Sequence, residues 1–221
     1  MAPIDFVKDL KPLYSPSPRH AAIVEVPELG FLMVDGRGDP NTSEAYQDAL
    51  QALYGIAYTL KSTLKKAAPE RDFKVAPLEG LWWADEGAPT MAELQRDRDA
   101  WNWTMMIAVP DAVTAADVAA AAEAAARRRE LPAATRVRLE RFAEGLAAQI
   151  MHVGPYAEEG PTIERLHAFA AEQGYELRGR HHEIYLGDPR RTAPERLRTV
   201  LRHPVREIRL HQTLVTPAHE G

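Results

Sequence analysis

The order of the predicted elements constrains the fold of this chain more than any other sequence feature. Apolar, turn-bounded segments alternate with amphipathic helical patterns, so that the order strand, helix, strand, strand occurs twice. The first series is Gly30–Val34, Asn41–Lys66, Phe73–Ala84 and Trp101–Val109, and the second is Leu146–Val153, Thr162–Gln173, Tyr175–Leu186 and Arg206–Val215. This order predicts an α+β fold of tandem pseudo-symmetric repeats, with antiparallel sheets and a central ligand cleft where the halves meet.

We expect a single domain over residues 1–221, with repeat one at about 21–131 and repeat two at about 132–217. Four prolines within residues 1–20 disfavour helix and predict an extended arm. Pro27 is expected to end a first strand, Ala21–Val26, and Gly145 to mark a turn between Val137–Phe142 and the strand that follows. Residues 85–99 are polar and indicate an irregular excursion or a short helix.

Composition narrows the class of protein. The chain is 45% hydrophobic, which is enough for a substantial core, has no cysteine and carries a formal net charge of −5. The missing cysteines exclude disulfides and thiolate zinc sites, and fit a reducing cytosol. Acidic net charge argues against a general nucleic-acid binder, and no apolar run approaches the roughly 18 residues that span a bilayer. We therefore expect a cytoplasmic monomer or homodimer with no nucleic-acid or membrane partner.

The first long helix is predicted over Asn41–Lys66, with Asn41 and Glu44 as a capping box. Its apolar residues recur every three or four positions and mark a buried stripe. Tyr54 and Tyr58 are four residues apart and therefore stack on an adjacent stripe. A further helix is predicted over Thr114–Glu130, with Thr114 as its cap and Asp117 at the capping-box position.

The stretch from His181 to Arg190 is the strongest candidate for a site. Glu183 and Tyr185 are two apart on a predicted strand and share one face. A local alignment of the two halves sets Trp82 opposite Tyr185 and Gly80 opposite Glu183. The groove between the halves is therefore expected to contain aromatic side chains from both repeats but one carboxylate, that of Glu183.

Metal and cofactor sites are not expected. His181 and His182 are adjacent, so a strand points them to opposite faces, and no HExxH motif or spaced histidine cluster accompanies them. The glycines of Asp35–Pro40 do not form a phosphate-binding motif. His152 lies in an apolar strand, where a hydrogen-bonded core or boundary histidine is the expected state.

Four segments in order resemble the GyrI-like small-molecule-binding family. They are Tyr54–Lys61, Pro77–Trp83, Gln149–Tyr156 and Glu183–Arg190. The chain is most similar to the stand-alone branch, which lacks a helix-turn-helix domain. The resemblance implies a tandem-repeat fold with a ligand cleft between the halves. Relatives fused to DNA-binding domains sense lipophilic drugs through a buried Glu ringed by aromatic residues, and some stand-alone relatives are cyclopropanoid cyclopropyl hydrolases.

The resemblance implies a catalytic role for Glu183, by motif position, as the carboxylate that activates water to open a strained cyclopropane of a DNA-alkylating compound. Aromatic side chains would sandwich the flat substrate, and a helix tyrosine would donate a hydrogen bond to its carbonyl oxygen. The candidate catalytic residues are Glu183, Tyr58 and Tyr54, and the candidate ligand-binding residues are Trp82, Trp103, Tyr185, Tyr156 and Gly80.

Two other functions use the same sequence features. One is a drug-binding or effector-sensing module without turnover, in which Glu183 and the aromatic side chains bind a cationic or polar aromatic ligand. The other is a protein inhibitor of gyrase, which the family name suggests. The sequence does not identify the natural ligand and does not decide between these functions.

Overall fold

The computed structural model describes residues 3–84, 98–128 and 131–208. Most of the predicted 85–99 excursion, and residues 209–215 of the predicted last strand, lie outside the described residues. Within these described residues, seven strands form one sheet: β1 Ala22–Arg37, β2 Leu78–Ala84, β3 Trp101–Val109, β4 Arg138–Val153, β5 Tyr175–Leu177, β6 His181–Tyr185 and β7 Arg198–Glu207. The α-helices described in the same ranges are α1 Phe6–Asp9, α2 Lys11–Tyr14, α3 Glu44–Ala67, α4 Ala115–Arg128 and α5 Gly160–Glu172.

The sheet has the strand order β4-β1-β3-β2-β6-β7-β5, and every paired ladder is antiparallel. A further pairing joins β4 to β7, so six of the strands close into a barrel-like ring. The α+β class and the antiparallel architecture are thus confirmed. Among the described residues, no helix combines the length and the apolar character needed to cross a bilayer. The division into repeats near residue 131 stays a prediction.

The predicted strand end at Pro27 and the predicted turn at Gly145 are both wrong, because each residue lies within one long strand. β1 and β4 each have 16 residues, and they pair from Ala22 with Gln149 to Met33 with Arg138. Pro27 interrupts this ladder without ending it. Gly145 has φ +69°, a conformation that glycine adopts without the steric cost of a Cβ. Both strands therefore continue through these residues, and the ladder between them keeps the same register on either side.

The other differences concern the ends of elements and proline positions. The arm is not fully extended, because Pro12 lies in the first turn of α2, where its missing N–H costs nothing. Residues 73–75 form no strand, and Phe73 makes an isolated bridge with Ile4. The last strand begins at Arg198 and not at Arg206, since Pro204 takes the final pair of the β4 ladder, where a missing donor is tolerated.

Helix capping was predicted correctly at one helix and wrongly at another. At α4, the Thr114 N–H donates to Asp117 Oδ2 (2.9 Å), and the Asp117 N–H donates to Thr114 Oγ1 (3.2 Å), which is a capping box. At α3 the cap is Ser43 and not Asn41. Ser43 Oγ accepts the N–H of Tyr46 at 3.2 Å.

The sheet has two buried faces with different neighbours. On one face, Tyr46 of α3 packs on Trp82 and Trp103, at ring-centroid distances of 6.2 and 5.3 Å. The other face points into the ring, where α2 covers it through Leu13 and Tyr14, which are 7% and 2% exposed. Because side chains alternate along a strand, each strand contributes to both environments. The first face is called the helix-covered face below, and the second the barrel interior.

Gly36 provides a direct test of packing on the helix-covered face. A Cβ at Gly36 would lie 2.0 Å from Cη2 of Trp103, whose side chain is fully buried. We expect Gly36→Ala to lower the free energy of unfolding by about 1–3 kcal/mol through overpacking. Urea denaturation measures this. Gly187→Ala is the matched control, because its Cβ would meet its nearest neighbour at 3.5 Å. Equal stability of the two variants would contradict the packing described.

Candidate functional site

Glu183 lies on β6 and faces the helix-covered side, with its side chain 15% exposed. The Tyr185 hydroxyl donates to Glu183 Oε2 at 2.6 Å, and His181 Nε2 lies 3.2 Å from Oε1. Trp82 Nε1 in turn donates to the Tyr185 hydroxyl at 3.0 Å. Burial raises the pKa of Glu183, but the hydrogen bonds from His181 and Tyr185 outweigh it and leave that pKa below its usual value. A carboxylate oriented in this way can accept a proton or bind a cation.

Aromatic rings surround this carboxylate. Tyr156, which is 38% exposed, packs edge-on to Tyr185 at 5.6 Å between centroids. Trp82 contacts Tyr46 on one side and Trp101, also edge-on, at 5.5 Å on the other. Burial and the negative charge of Glu183 raise the pKa of Tyr46 well above that of a free phenol, so this ring is neutral. The site is therefore a carboxylate set among neutral aromatic side chains, as flat lipophilic ligands require.

Gly80 lies directly opposite Glu183 in the ladder between β2 and β6. A Cβ there would lie 2.8 Å from Trp82 Nε1 and 3.2 Å from Met105 Sδ. The missing side chain thus lets the Trp82 indole lie along the strand and reach Tyr185. Gly80 shapes the site through the position of Trp82, and this gives a physical reason for glycine opposite the carboxylate.

The remaining predicted site residues lie at different depths. Trp103 is fully buried under Tyr46 and Gly36, so it supports the aromatic layer from below. Tyr54 and Tyr58 stack at 6.2 Å between centroids, as predicted from their spacing. Tyr58 is 58% exposed, whereas Tyr54 is partly buried. Tyr54 is also near enough to Tyr156 to contribute to the raised pKa of Tyr156. Tyr54 is therefore the helix tyrosine on the side of the aromatic cluster.

Glu183 is not the lone carboxylate that the repeat comparison predicted. Glu159, which immediately precedes α5 and is 5% exposed, lies next to it. Burial and the negative charge of Glu183 raise the pKa of Glu159 to about 9. Near neutral pH the pair therefore consists of one ionised carboxylate and one protonated carboxylic acid, the division of states that acid–base sites use. Sequence comparison of the halves missed Glu159 because it lies in a connection and not on a strand.

Three histidines lie beside this pair on the same face. His167 of α5, His181 of β6 and His203 of β7 each place one ring nitrogen within 4.8 Å of the others. Burial is the main reason why the pKa of His167 falls to about 4 and that of His203 to about 3. Both rings are therefore neutral near pH 7. Their positions in sequence, 14 and 22 residues apart, form no metal-binding motif, and sequence analysis missed the cluster.

The barrel interior contains a separate network of buried charged groups. His182 bridges two carboxylates: its Nε2 lies 3.0 Å from Glu79 Oε2, and its Nδ1 lies 3.0 Å from Glu144 Oε2. Arg202 Nη1 also lies 3.1 Å from Glu144 Oε2, and the Tyr14 hydroxyl donates to Glu79 Oε1 at 2.8 Å. Although burial acts against both charged forms, the attraction between opposite charges raises the pKa of His182 to about 9 and lowers that of Glu144 to about 2.

The opposite orientation of His181 and His182 agrees with the prediction for adjacent residues of a strand. His152 also agrees: its Nδ1 lies 3.0 Å from Thr162 Oγ1 and its Nε2 lies 3.2 Å from the Pro155 carbonyl oxygen. The interior network packs tightly around a cavity of about 10 Å³, room for about one water molecule. The barrel interior is therefore a structural core, and the candidate site lies on the helix-covered face.

Comparison with known proteins identifies the family of this chain. The model of the GyrI-like small molecule binding domain matches residues 21–206. An uncharacterized conserved protein from Listeria innocua is 43% identical, with 92% of this chain and 100% of that chain covered and a TM-score of 0.83. A hydrolase from Listeria innocua is 42% identical, with 92% and 100% covered and a TM-score of 0.79. No curated protein matches the chain.

A more distant structure agrees at the level of the fold. The C-terminal domain of EcmrR is 15% identical, with 86% of this chain and 98% of that chain covered and a TM-score of 0.52. At this identity the similarity shows the fold alone. The family model, in contrast, matches most of the chain, from residue 21 to residue 206. The chain belongs to the family of GyrI-like small-molecule-binding domains.

Proposed function

We propose that this chain is a hydrolase that binds lipophilic aromatic compounds and opens the strained cyclopropane of cyclopropanoid DNA-alkylating compounds. The observation that carries the proposal is the Glu183 carboxylate, oriented by Tyr185 and His181 and surrounded by aromatic rings. The hydrolase from Listeria innocua, 42% identical over its whole length, supports a hydrolytic activity.

The proposed reaction adds one water molecule to the substrate. Glu183 takes a proton from water while the water oxygen bonds to the cyclopropane methylene carbon. The ring C–C bond breaks, and its electron pair moves through the conjugated system to the carbonyl oxygen. That oxygen then takes a proton and becomes a hydroxyl. Because strain in the ring supplies much of the driving force, a few catalytic groups suffice.

Two kinds of group can assist at the carbonyl oxygen. The sequence-based proposal is a hydrogen bond from Tyr54 or Tyr58, and Tyr54 is the better placed because Tyr58 is largely exposed. Glu159 is a second candidate, since its carboxyl is protonated beside Glu183 and can supply the proton. Trp82 and Tyr185 would stack on the substrate, and Tyr156 would cover it from the rim.

A turnover assay tests the proposal. The purified chain is incubated with a cyclopropane-bearing alkylator, and products are separated and weighed by mass spectrometry. We expect a product heavier than the substrate by one water molecule, formed at a rate proportional to the enzyme concentration. Saturable binding of the compound with no product above the no-enzyme control would exclude the hydrolase and leave the binding module.

The second candidate function is a drug-binding module without turnover. The observation that favours it is the packing of neutral aromatic rings around an ionised carboxylate, which suits a cationic aromatic ligand as well as a neutral one. Fluorescence quenching of Trp82 and Trp101 by lipophilic cations would measure it. The gyrase-inhibitor hypothesis is tested by a supercoiling assay, in which no effect at micromolar protein would exclude it.

A further inference from the structure

The histidine cluster joins three separate elements, one helix and two strands. His167 comes from α5, His181 from β6 and His203 from β7. The rings of His167 and His203 meet edge-on at 5.1 Å between centroids, and those of His181 and His203 lie 5.9 Å apart. The three residues are thus held together by the helix, two neighbouring strands and the packing between them.

Each of these histidines has one buried ring nitrogen without a hydrogen-bond partner among the described residues. The atoms are Nε2 of His167, Nδ1 of His181 and Nδ1 of His203. Buried polar atoms are nearly always paired, because leaving one unpaired costs free energy. Each of the three clustered histidines has such an atom, and the side chain of His181 is only 4% exposed, which points to one partner shared by the cluster.

We propose that His167, His181 and His203 bind one Zn²⁺ ion, with water in the fourth coordination position. Three imidazole nitrogens are a ligand set that suits a borderline transition metal and not the oxygen-preferring Mg²⁺ or Ca²⁺. In a tetrahedral site with Zn–N bonds near 2.0–2.1 Å, ligand nitrogens are about 3.4 Å apart. Small side-chain rotations bring nitrogens within 4.8 Å to that spacing.

The hydrogen bond of His181 fits this assignment. If Nε2 donates its proton to Glu183 Oε1, Nδ1 keeps a lone pair directed at the cluster. A histidine that binds a metal through one nitrogen and donates to a carboxylate through the other is a recurring arrangement, in which the carboxylate fixes the tautomer and the ring orientation. Glu183 would therefore act as a positioning residue for the zinc site, whether or not it also catalyses a reaction.

Metal binding is measured on the full chain without substrate, so its outcome is independent of the proposed hydrolysis. The protein is purified without a polyhistidine tag, stripped with a chelator and titrated with Zn²⁺ against a chromophoric chelator. We expect one Zn²⁺ per chain, a higher midpoint of thermal unfolding on loading, and visible d–d absorption when Co²⁺ replaces zinc. Absence of stoichiometric binding in the wild-type chain would overturn the proposal.

Variants locate the site. His203→Asn and His167→Asn are each expected to weaken zinc binding by at least about 100-fold, and Glu183→Gln by about 10–100-fold through the lost carboxylate partner. His20→Asn, at an exposed position outside the cluster, is the matched control and should bind as the wild type does. Circular dichroism checks the fold of each variant. Wild-type affinity in folded His203→Asn and His167→Asn would also overturn the proposal.

Discussion

Glu183→Gln is expected to reduce kcat/KM for cyclopropane hydrolysis by about 10²–10⁴-fold, the usual contribution of a general base. The substitution keeps the size of the side chain but removes its ability to accept a proton from water. The effect should fall on kcat, since the aromatic rings that bind the substrate stay in place. Single-turnover mass spectrometry measures the chemical step, and equilibrium titration with the hydrated product measures binding.

Glu158→Gln is the matched control for this experiment. Glu158 precedes Glu159 in the chain but is exposed, and nothing in the proposed mechanism requires it. Its turnover should equal that of the wild type. A Glu183→Gln variant that hydrolyses the substrate at the wild-type rate would show that Glu183 is not the base. Glu159→Gln, tested alongside, shows whether the neighbouring protonated carboxyl contributes to the rate.

Arg202→Met is expected to lower the free energy of unfolding by about 3–5 kcal/mol, because it leaves the buried Glu144 carboxylate with His182 but without its second cationic partner. Arg202 is 3% exposed, and its guanidinium contacts Glu144, Gln149 and the Leu13 carbonyl oxygen at 2.8–3.1 Å. Methionine fills a similar volume but donates no hydrogen bond. At roughly 2–4 °C per kcal/mol for a chain of this size, the midpoint of thermal unfolding should fall by about 6–20 °C.

Arg206→Met is the control that separates the effect of losing a buried arginine from the effect of losing an exposed one. Arg206 lies on the same strand and pairs with Glu176 at 2.6 Å, but its side chain is 66% exposed. A surface pair of this kind contributes about 0–1 kcal/mol, so this control should lose little stability. The double variant Glu144→Gln, Arg202→Met should recover part of the loss, because the buried charge is then removed as well. Equal effects of Arg202→Met and Arg206→Met would contradict the interior network.

Local sequence signals were reliable where one short-range interaction decides the structure. The strand Trp101–Val109 and the box between Thr114 and Asp117 were predicted correctly, because alternation and capping depend on neighbours in sequence. The same rules failed at Pro27 and Gly145. Each residue usually ends a strand, but here the pairing of β1 with β4 on both sides outweighs the local preference.

The candidate site likewise has features that local sequence signals predict and features that they do not. Alternation along β6 is enough to set Glu183 and Tyr185 on one face and His182 on the other. It does not reveal that Glu159 approaches from the connection before α5, or that Tyr46 of α3 covers Trp82. These contacts join residues far apart in sequence, and they depend on how the helices pack on the sheet.

The sequence by itself determined the α+β class, the repeated element order, the family resemblance and Glu183 as the residue to examine. The reason is that periodicity and motifs depend on residues that are close together in the chain. Only the tertiary structure decided that the strands close into a ring, that the charged groups divide between two faces, and that His167, His181 and His203 converge. The physical reason is that closure and convergence arise from long-range pairing, such as β4 with β7, which leaves no local pattern in the chain.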